Sequence, residues 1–391
     1  MKILFDGSYL FYKSVFANSK ISANNGAEYN ENNKFGDNLK EQDTVIVSML
    51  HEIQHMIEKF KNEFDISGIV WCMDGDSWRK KIYPEYKAHR KKADNINWEK
   101  LYKAHEQLGE ILKEHGIIVC REQNFEVDDI MALLTYKYKN ENEDFIIYSS
   151  DSDLSQLLYY TDNNIGFQYY STLSQENFTF IDKVEQDIEK LQSCDDIFDF
   201  ENNLNYTNKV IPKIIKFLKT DSKNDTFIST FNYINPKEVK INKILLGDRS
   251  DNINSIVNWK CPSTGNNKNF TDNMLSKVLN DFNLTKLELT EKIFEDKKFR
   301  EDFLTACIEK ANPKGTSYTY DDALSNFKRN IKICVLHREN IPSDYDKSVD
   351  FVNKLLTETP KPSFTSIINE KSNKISKAFS SEIEDDLFNS L

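Results

Sequence analysis

Glycine and proline are scarce, 11 and 8 of 391 residues, about 5% together where about 12% is usual. Collagen-like, mucin-like and Pro/Gly low-complexity chains are thereby excluded. Cysteine is sparse as well. The six copies (Cys72, Cys120, Cys194, Cys261, Cys307 and Cys334) include no Cys-x-x-Cys pair, so neither a zinc ribbon nor a disulfide framework is expected, and a reducing cytoplasm is the natural setting. No apolar run approaches the ~20 residues of a membrane span. Asp6 interrupts the one apolar stretch near the start, so no secretory leader is expected either. Positive charge is in deficit, 51 Lys+Arg against 63 Asp+Glu for a net −12, which argues against a passive nucleic-acid binder with a basic footprint.

What the chain does have is 39% hydrophobic residues, with 26 Phe and 18 Tyr, enough to exclude wholesale disorder and to build one large or two ordinary domains. Short apolar runs at 2–5, 68–73, 117–120 and 145–148 read as strands. Helical spacing fills 8–17, 45–60, 98–114 and 127–138, with a short helix at 154–159 and an Asn-rich loop over about 20–40. Strands separated by helices predict an α/β fold, a mostly parallel sheet with helices on both faces. Helical patterns dominate after about 183, at 237–246, 271–283, 285–310 and 321–338. The expected organisation is an α/β domain over 1–235 with an insertion at about 185–235, a helical region over 236–350, and a flexible tail over 351–391.

The acids fall at telling places. Asp6 and Asp74 directly follow apolar strands, Asp151 and Asp153 follow the fourth, and Glu126, Asp128 and Asp129 open a helix just beyond the third. Strand C-termini of an open parallel sheet line one edge, where ligands bind. Each acid alone is also explained as a helix cap or a complement to a helix N-terminus. Together, so many anions must share protons or hold cations, and hard oxygen donors suit Mg²⁺ or Mn²⁺. A pair of such ions activates water and steadies both oxygens of a phosphodiester displacement. Asp248 and Asp251, spaced i,i+3, either join that edge or form a polar turn after a helix.

Seven Lys/Arg lie between Arg79 and Lys92, with Glu85 the only acid among them. Arg79, Lys80, Lys81, Lys87, Arg90 and Lys91 are interleaved with Trp78, Tyr83 and Tyr86, a pattern suited to phosphate contact and base stacking. Lys87 and Arg90, three apart, are expected to share a helical face. The alternative is a solvated charged loop, but the segment leaves the sheet directly after Asp74.

Asp6, Asp74 with its basic segment, Trp98-Glu99, Glu126-Val127-Asp128-Asp129, Ser149-Ser150-Asp151-Ser152-Asp153 and Gly247-Asp248-Arg249-Ser250-Asp251-Asn252-Ile253 occur in the order found in flap-endonuclease-like 5′ nucleases. The chain resembles that family over roughly 1–160 and 236–345, most of all its phage ribonuclease H branch. The resemblance implies a metal-dependent 5′→3′ exonuclease and flap endonuclease with two Mg²⁺, Mn²⁺ substituting. It implies one metal site from Asp6, Asp74, Glu126, Asp128, Asp129 and Asp151, and a second from Asp151, Asp153, Asp248 and Asp251. Tyr86, Lys87 and Arg90 match a helical arch, over about 76–97, that grips the 5′ strand and scissile phosphate. Arg79, Lys80, Lys81, Tyr83, Lys91 and Arg249 are the further substrate contacts expected, and residues 244–257 match a helix–three-turn–helix that tracks the duplex. The chain departs from the family pattern at Ile253-Asn254-Ser255-Ile256, where the family usually has Ile-Pro-Gly-Val. The partners implied are DNA and RNA–DNA hybrid with a 5′ end or flap, as in primer removal during lagging-strand replication. A single-stranded-DNA-binding protein is a further partner, and a sliding clamp is expected to dock on 385–391. The cytoplasm is then that of a phage host.

Two other readings compete. His51-Glu52-Ile53-Gln54-His55 is a literal H-E-x-x-H, the zinc peptidase pattern, although Ile46, Met49, Ile53, Ile57 and Phe60 explain the same helix as core packing. A non-catalytic binding module on the same scaffold is expected to have lost one or more motif acids, and none is missing.

Overall fold

The structure is a computed structural model that describes residues 1–61, 63–172, 175–185, 228–311 and 318–355, together with Val210, Lys213, Ile214 and Phe217. Most of the expected insertion, and the tail from 356 onward with its 385–391 segment, lie outside the described residues.

Three apolar runs make the middle of the sheet: β1 (Lys2–Asp6), β2 (Gly68–Met73) and β4 (Phe145–Tyr148), with β3 (Ile118–Arg121) beside β2. Every residue of β2 and β4 is buried, as continuous apolar strands of a parallel sheet covered on both faces must be. Alternate side chains serve two cores. Ile3, Phe5, Ile69 and Trp71 pack under α1 (Gly7–Asn24), α2 (Leu39–Phe60) and α4 (Trp98–Glu114). Leu4, Val70 and Cys72 face α5 (Val127–Asn140) on the other side. Between α2 and α4 comes only the single helical turn α3 (Arg79–Ile82).

The strand order is β3-β2-β1-β4-β6-β7-β8, with β5 (Tyr159–Tyr160) paired to β6. Here β6 is Ile165–Ser171, β7 is Gln175–Ile181 and β8 is Ile228–Ile234. All pairs along that path are parallel except β6/β7. The chain leaves β1 in one direction to build β2 and β3, then returns to place β4 on its other side. That makes a topological switch point between β1 and β4, where open α/β sheets bind ligands. The register aligns Lys2 with both Gly68 and Phe145, so the three C-terminal ends meet at one edge.

Four expectations change. The region 154–159 is a 3₁₀ turn, Ser152–Leu157, followed by β5, and α1 extends to Asn24, well into the expected loop. The end of the expected insertion is β8, paired along β7 over seven residues. Helices α6 (Pro236–Leu246), α7 (Asp272–Phe282), α8 (Lys286–Glu295), α9 (Lys297–Ala311) and α10 (Tyr320–Cys334) surround a separate core, with a two-stranded ribbon, β9 (Asn258–Lys260) and β10 (Asn267–Asn269), beside them. The chain then returns to the sheet. In α11 (Asp346–Leu355), Val349 and Val352 share a face and pack into the α5 core, so 351–355 are helix rather than tail.

Candidate active site

Asp6 ends β1 and caps α1, accepting the Tyr9 N–H at 2.8 Å and the Ser149 hydroxyl at 2.8 Å. Burial pushes its carboxyl up to about 7, with Asp74 and Asp151 adding to the shift. Asp74 follows β2 and accepts the Val127 N–H at 2.9 Å, which ties it to the start of α5; burial and then Glu126 raise it. Asp128, in the first turn of α5, is held well above the ordinary carboxylate range by burial first and Asp151 second. Asp151 follows β4 and accepts the Asp153 N–H at 2.8 Å. The sheet thus gathers Asp6, Asp74, Asp128, Asp151 and Asp153 at one edge.

Asp248 and Asp251 come from the helical region and face the same place. Gly247 stops α6, and Asp248 pairs with Ile253 across a tight turn in which Ser250 donates to Asp248 from N (2.8 Å) and Oγ (2.7 Å). One ligand oxygen from each of Asp153, Asp248 and Asp251 lies within 4.8 Å of the others. Lys243, in the last turn of α6, donates to both Asp153 and Asp248. Against the cost of burial it lowers Asp248, while Asp153 still rises to about 6 under burial.

The basic segment is not a helical arch. Tyr83 is extended, φ −137° and ψ 90°, as a residue before proline tends to be. Beyond Pro84 the chain runs in successive turns, and Lys87 has φ 55°. Lys87 and Arg90 consequently share no helical face. They meet instead through the Asp248 turn: Lys87 N donates to Asp251 O at 2.9 Å, Lys87 Nζ lies 2.5 Å from Glu126 Oε1 and 3.8 Å from Asp251 Oδ2, and Arg90 Nη2 lies 2.5 Å from Asp251 Oδ1.

Two expected substrate contacts are internal. Arg79 is 2% exposed. Its Nη1 reaches Glu126 (3.1 Å) and Asp129 (2.8 Å), and its Nε donates to Ile333 O at 2.8 Å. Tyr86, also 2% exposed, donates its hydroxyl to Glu126 at 2.9 Å. Neither presents a polar group to a strand, because a buried polar atom must be satisfied locally. Glu126 also accepts the Ser77 hydroxyl at 2.7 Å. Burial alone would raise it, but Lys87 and Arg79 hold it at about 2. Asp129, paired with Arg79 and capping α5 through the Glu126 N–H at 3.1 Å, is a structural anion rather than an open ligand.

Of the other expected contacts, Lys80, Lys91 and Arg249 are exposed. Lys81 is exposed over the Tyr345 ring at 5.0 Å, and half-buried Tyr83 lies under Arg329 at 4.8 Å. Lys80, Lys87, Arg90 and Lys91 line a cleft of about 1230 Å³ that includes Asp74 and Glu126.

The H-E-x-x-H pattern does not assemble. Glu52 is taken by Lys13, Tyr148 and Ser171, and His55 faces Glu176 at 3.9 Å. Among the described residues, His51, Glu52 and His55 form no metal-ligand group. The sequence pattern gave no role to Lys243 or Ser77, and named Ser149 only as part of a motif. A lysine in the last turn of a helix complements the helix dipole anyway, so Lys243 carried no separate signal.

Residues 1–189 match the family "5′-3′ exonuclease, N-terminal resolvase-like domain". The chain is similar to a 5′-3′ exonuclease of Buchnera aphidicola subsp. Schizaphis graminum, 33% identical over 161 residues, 41% of this chain and 49% of that protein. It is also similar to flap endonuclease Xni of Shewanella pealeana, 36% identical over 96 residues, 23% of this chain and 34% of that one. The chain spans about half the length, or less, of the curated relatives it matches. Among solved structures, the bacteriophage T5 flap endonuclease with DNA and metal ions aligns at TM-score 0.47 and 14% identity, over 91% of this chain and 99% of that one.

Proposed function

We propose, on the premise that residues 1–189 belong to the 5′-3′ exonuclease N-terminal, resolvase-like domain family, that the protein is a divalent-metal-dependent 5′→3′ exonuclease and flap endonuclease. Its substrates in this reading are RNA–DNA hybrid and nicked or flapped DNA. The observation that carries the reading is convergence: Asp6, Asp74 and Asp151 end neighbouring parallel strands, and Asp248 and Asp251 arrive from a separate core to meet Asp153.

The donor set fits hard cations such as Mg²⁺ or Mn²⁺, being carboxylate oxygens only. Asp6 and Asp128, raised by burial and by each other's neighbours, are the anions whose repulsion a cation relieves. Asp6, Asp74, Asp128 and Asp151, with Glu126 behind them, would hold one ion, and Asp153, Asp248 and Asp251 the other. Bound there, such ions supply Lewis acidity to phosphate oxygens and acidify water. The chain's own cations position the strand. Lys87 and Arg90 stand at the junction of the two acid groups, Lys80 and Lys91 line the approach, and exposed Arg249 offers a further phosphate contact. In this reading the helical region over 236–350 holds the duplex.

In phage-type replication this activity removes RNA primers from lagging-strand fragments in the host cytoplasm. The acidic, aromatic segment 385–391 is the docking candidate for a sliding clamp, and a single-stranded-DNA-binding protein presents the strand.

The test is cleavage of 5′-labelled flap, nick and hybrid substrates. We expect cutting in Mg²⁺, none in EDTA, and an Asp151→Asn variant that binds DNA but does not turn over. Wild-type rates in that variant would overturn the assignment.

A further inference from the structure

Glu52, the glutamate of the H-E-x-x-H pattern, is half-buried on α2 and directs its carboxylate into the protein. Its Oε1 accepts Lys13 Nζ at 2.9 Å, the Ser171 hydroxyl at 2.7 Å and the Tyr148 hydroxyl. Burial alone would raise this carboxyl, but Lys13 and then the Tyr148 and Ser171 hydroxyls hold it below the ordinary range. An anion with three donors on one oxygen is held in one place, and it fixes its donors in turn.

Tyr148 ends β4 and Ser171 ends β6, so this hub grips two neighbouring strands where they reach the acid edge. Lys13 comes from α1, which Asp6 caps, and it also donates to Ser171 O at 2.7 Å. One turn earlier on the same face of α1, the Tyr9 phenol is hydrogen-bonded to Ser150, and its ring lies 6.2 Å from that of Tyr148. Asp151 follows Tyr148 by three residues. Between them, Ser149 donates its hydroxyl to Asp6 at 2.8 Å and accepts the Asp151 N–H at 3.1 Å. A displacement of Tyr148 is therefore passed to Ser149, and from there to both carboxylates.

We propose that Glu52 is a positioning residue for the carboxylate edge: from behind the strand ends it fixes Tyr148, Ser171 and Lys13, so that Asp6 and Asp151 keep the spacing a small divalent cation requires. Mg²⁺ takes its oxygen ligands at about 2.0–2.1 Å in near-ideal octahedral geometry, which leaves little room for a carboxylate to drift. Groups behind a metal's ligands set its affinity by about 10- to 100-fold. The inference rests on the proposed cation site, and it gives the H-E-x-x-H glutamate a task in that site without any zinc.

The test is Mn²⁺ binding to the full chain without DNA, followed by electron paramagnetic resonance of the free ion, so that it does not depend on cleavage. Glu52→Met removes the acceptor, and Mn²⁺ affinity is expected to fall about 10- to 100-fold. Glu52→Gln keeps an Oε1 that accepts from the same donors, and is expected to keep most of the wild-type affinity. Thermal melting verifies that each variant is folded at the temperature of the titration. Should Glu52→Met not fold, the double variant Tyr148→Phe, Ser171→Ala removes the two hydroxyl donors instead and is expected to weaken Mn²⁺ binding in the same direction. Wild-type affinity in folded Glu52→Met, or in that double variant, overturns the role and leaves the cation site standing. A loss in Glu52→Gln as large as in Glu52→Met overturns it too, because charge rather than position would then be at work. A wild type that binds no Mn²⁺ overturns the cation reading itself, and this role with it.

Discussion

A guanidinium with 2% of its surface exposed has to satisfy its donors inside the protein, and Arg79 does so with Glu126, Asp129 and the carbonyl of Ile333. It therefore holds the start of α5, and with it the carboxylates of the sheet edge, against the end of α10. Removing one partner of a buried ion pair costs about 3–5 kcal/mol, so Arg79→Met should lose stability on that order, read from the denaturant midpoint at pH 7. The sign with pH is fixed by Glu126, held at about 2 against an ordinary 4.5. A depressed carboxyl contributes stability above its unfolded value and loses it as pH falls through the folded one. The gap between wild type and Arg79→Met is thus widest above pH 4.5 and narrows toward pH 2. A gap that stays constant over that range would mean Arg79 acts by packing alone. In the sequence, Arg79 is one of seven cations between positions 79 and 92, and nothing in that pattern separates the one that turns inward from those that face the cleft.

At the scale of elements, the Asp248 turn depends on one backbone conformation. Gly247 has φ 69° and ψ −164°, a region essentially closed to other residues. A Cβ there would meet Ile253 O at 2.4 Å and Asn254 O at 2.7 Å. Gly247→Ala should therefore lose about 1–3 kcal/mol of stability and, by moving Asp248 away from Lys243 and Asp153, lower cleavage further than the unfolded fraction explains. Full specific activity in the folded variant would show that the turn does not set the site. Elements with a strong internal pattern were legible beforehand. Strands 68–73 and 145–148 and helix 98–114 have the bounds that apolar runs and 3–4 spacing imply, the helix being capped by Asn97, which accepts the Lys100 N–H at 3.1 Å. The far half of the sheet was not legible, because polar residues interrupt it. One of them, Gln168 in β6, is buried and donates to Ser149 O (2.8 Å) and Asp151 O (2.7 Å), a role in shaping the site that breaks the apolar pattern of its own strand. The basic segment misled for the opposite reason. Its charges have helical spacing, but Pro84 and the left-handed Lys87 prevent a helix.

Across the whole molecule, the acid edge joins two bodies of packing that share little else in sequence, the sheet with its two cores and the helical core of α6–α10. Asp128 belongs to the first and Asp248 and Asp251 to the second, and the carboxyls between them repel. A ligand that binds only the folded arrangement stabilises it in proportion to the logarithm of its concentration over Kd, so Mg²⁺ should raise the melting temperature of EDTA-stripped protein. Asp128→Asn separates this effect from ordinary structural loss. Burial and then Asp151 raise Asp128, with Lys87 opposing them only in part, so removing that charge should raise the melting temperature in EDTA. The same change takes away a carboxylate that would hold the ion, so the gain on adding Mg²⁺ should shrink. A residue that mattered only for packing would lower both curves alike. Scanning calorimetry of the two proteins, each with EDTA and with Mg²⁺, distinguishes the cases: parallel shifts, or no response of wild type to the ion, would remove the cation from the account of how sheet and helices are held at this edge.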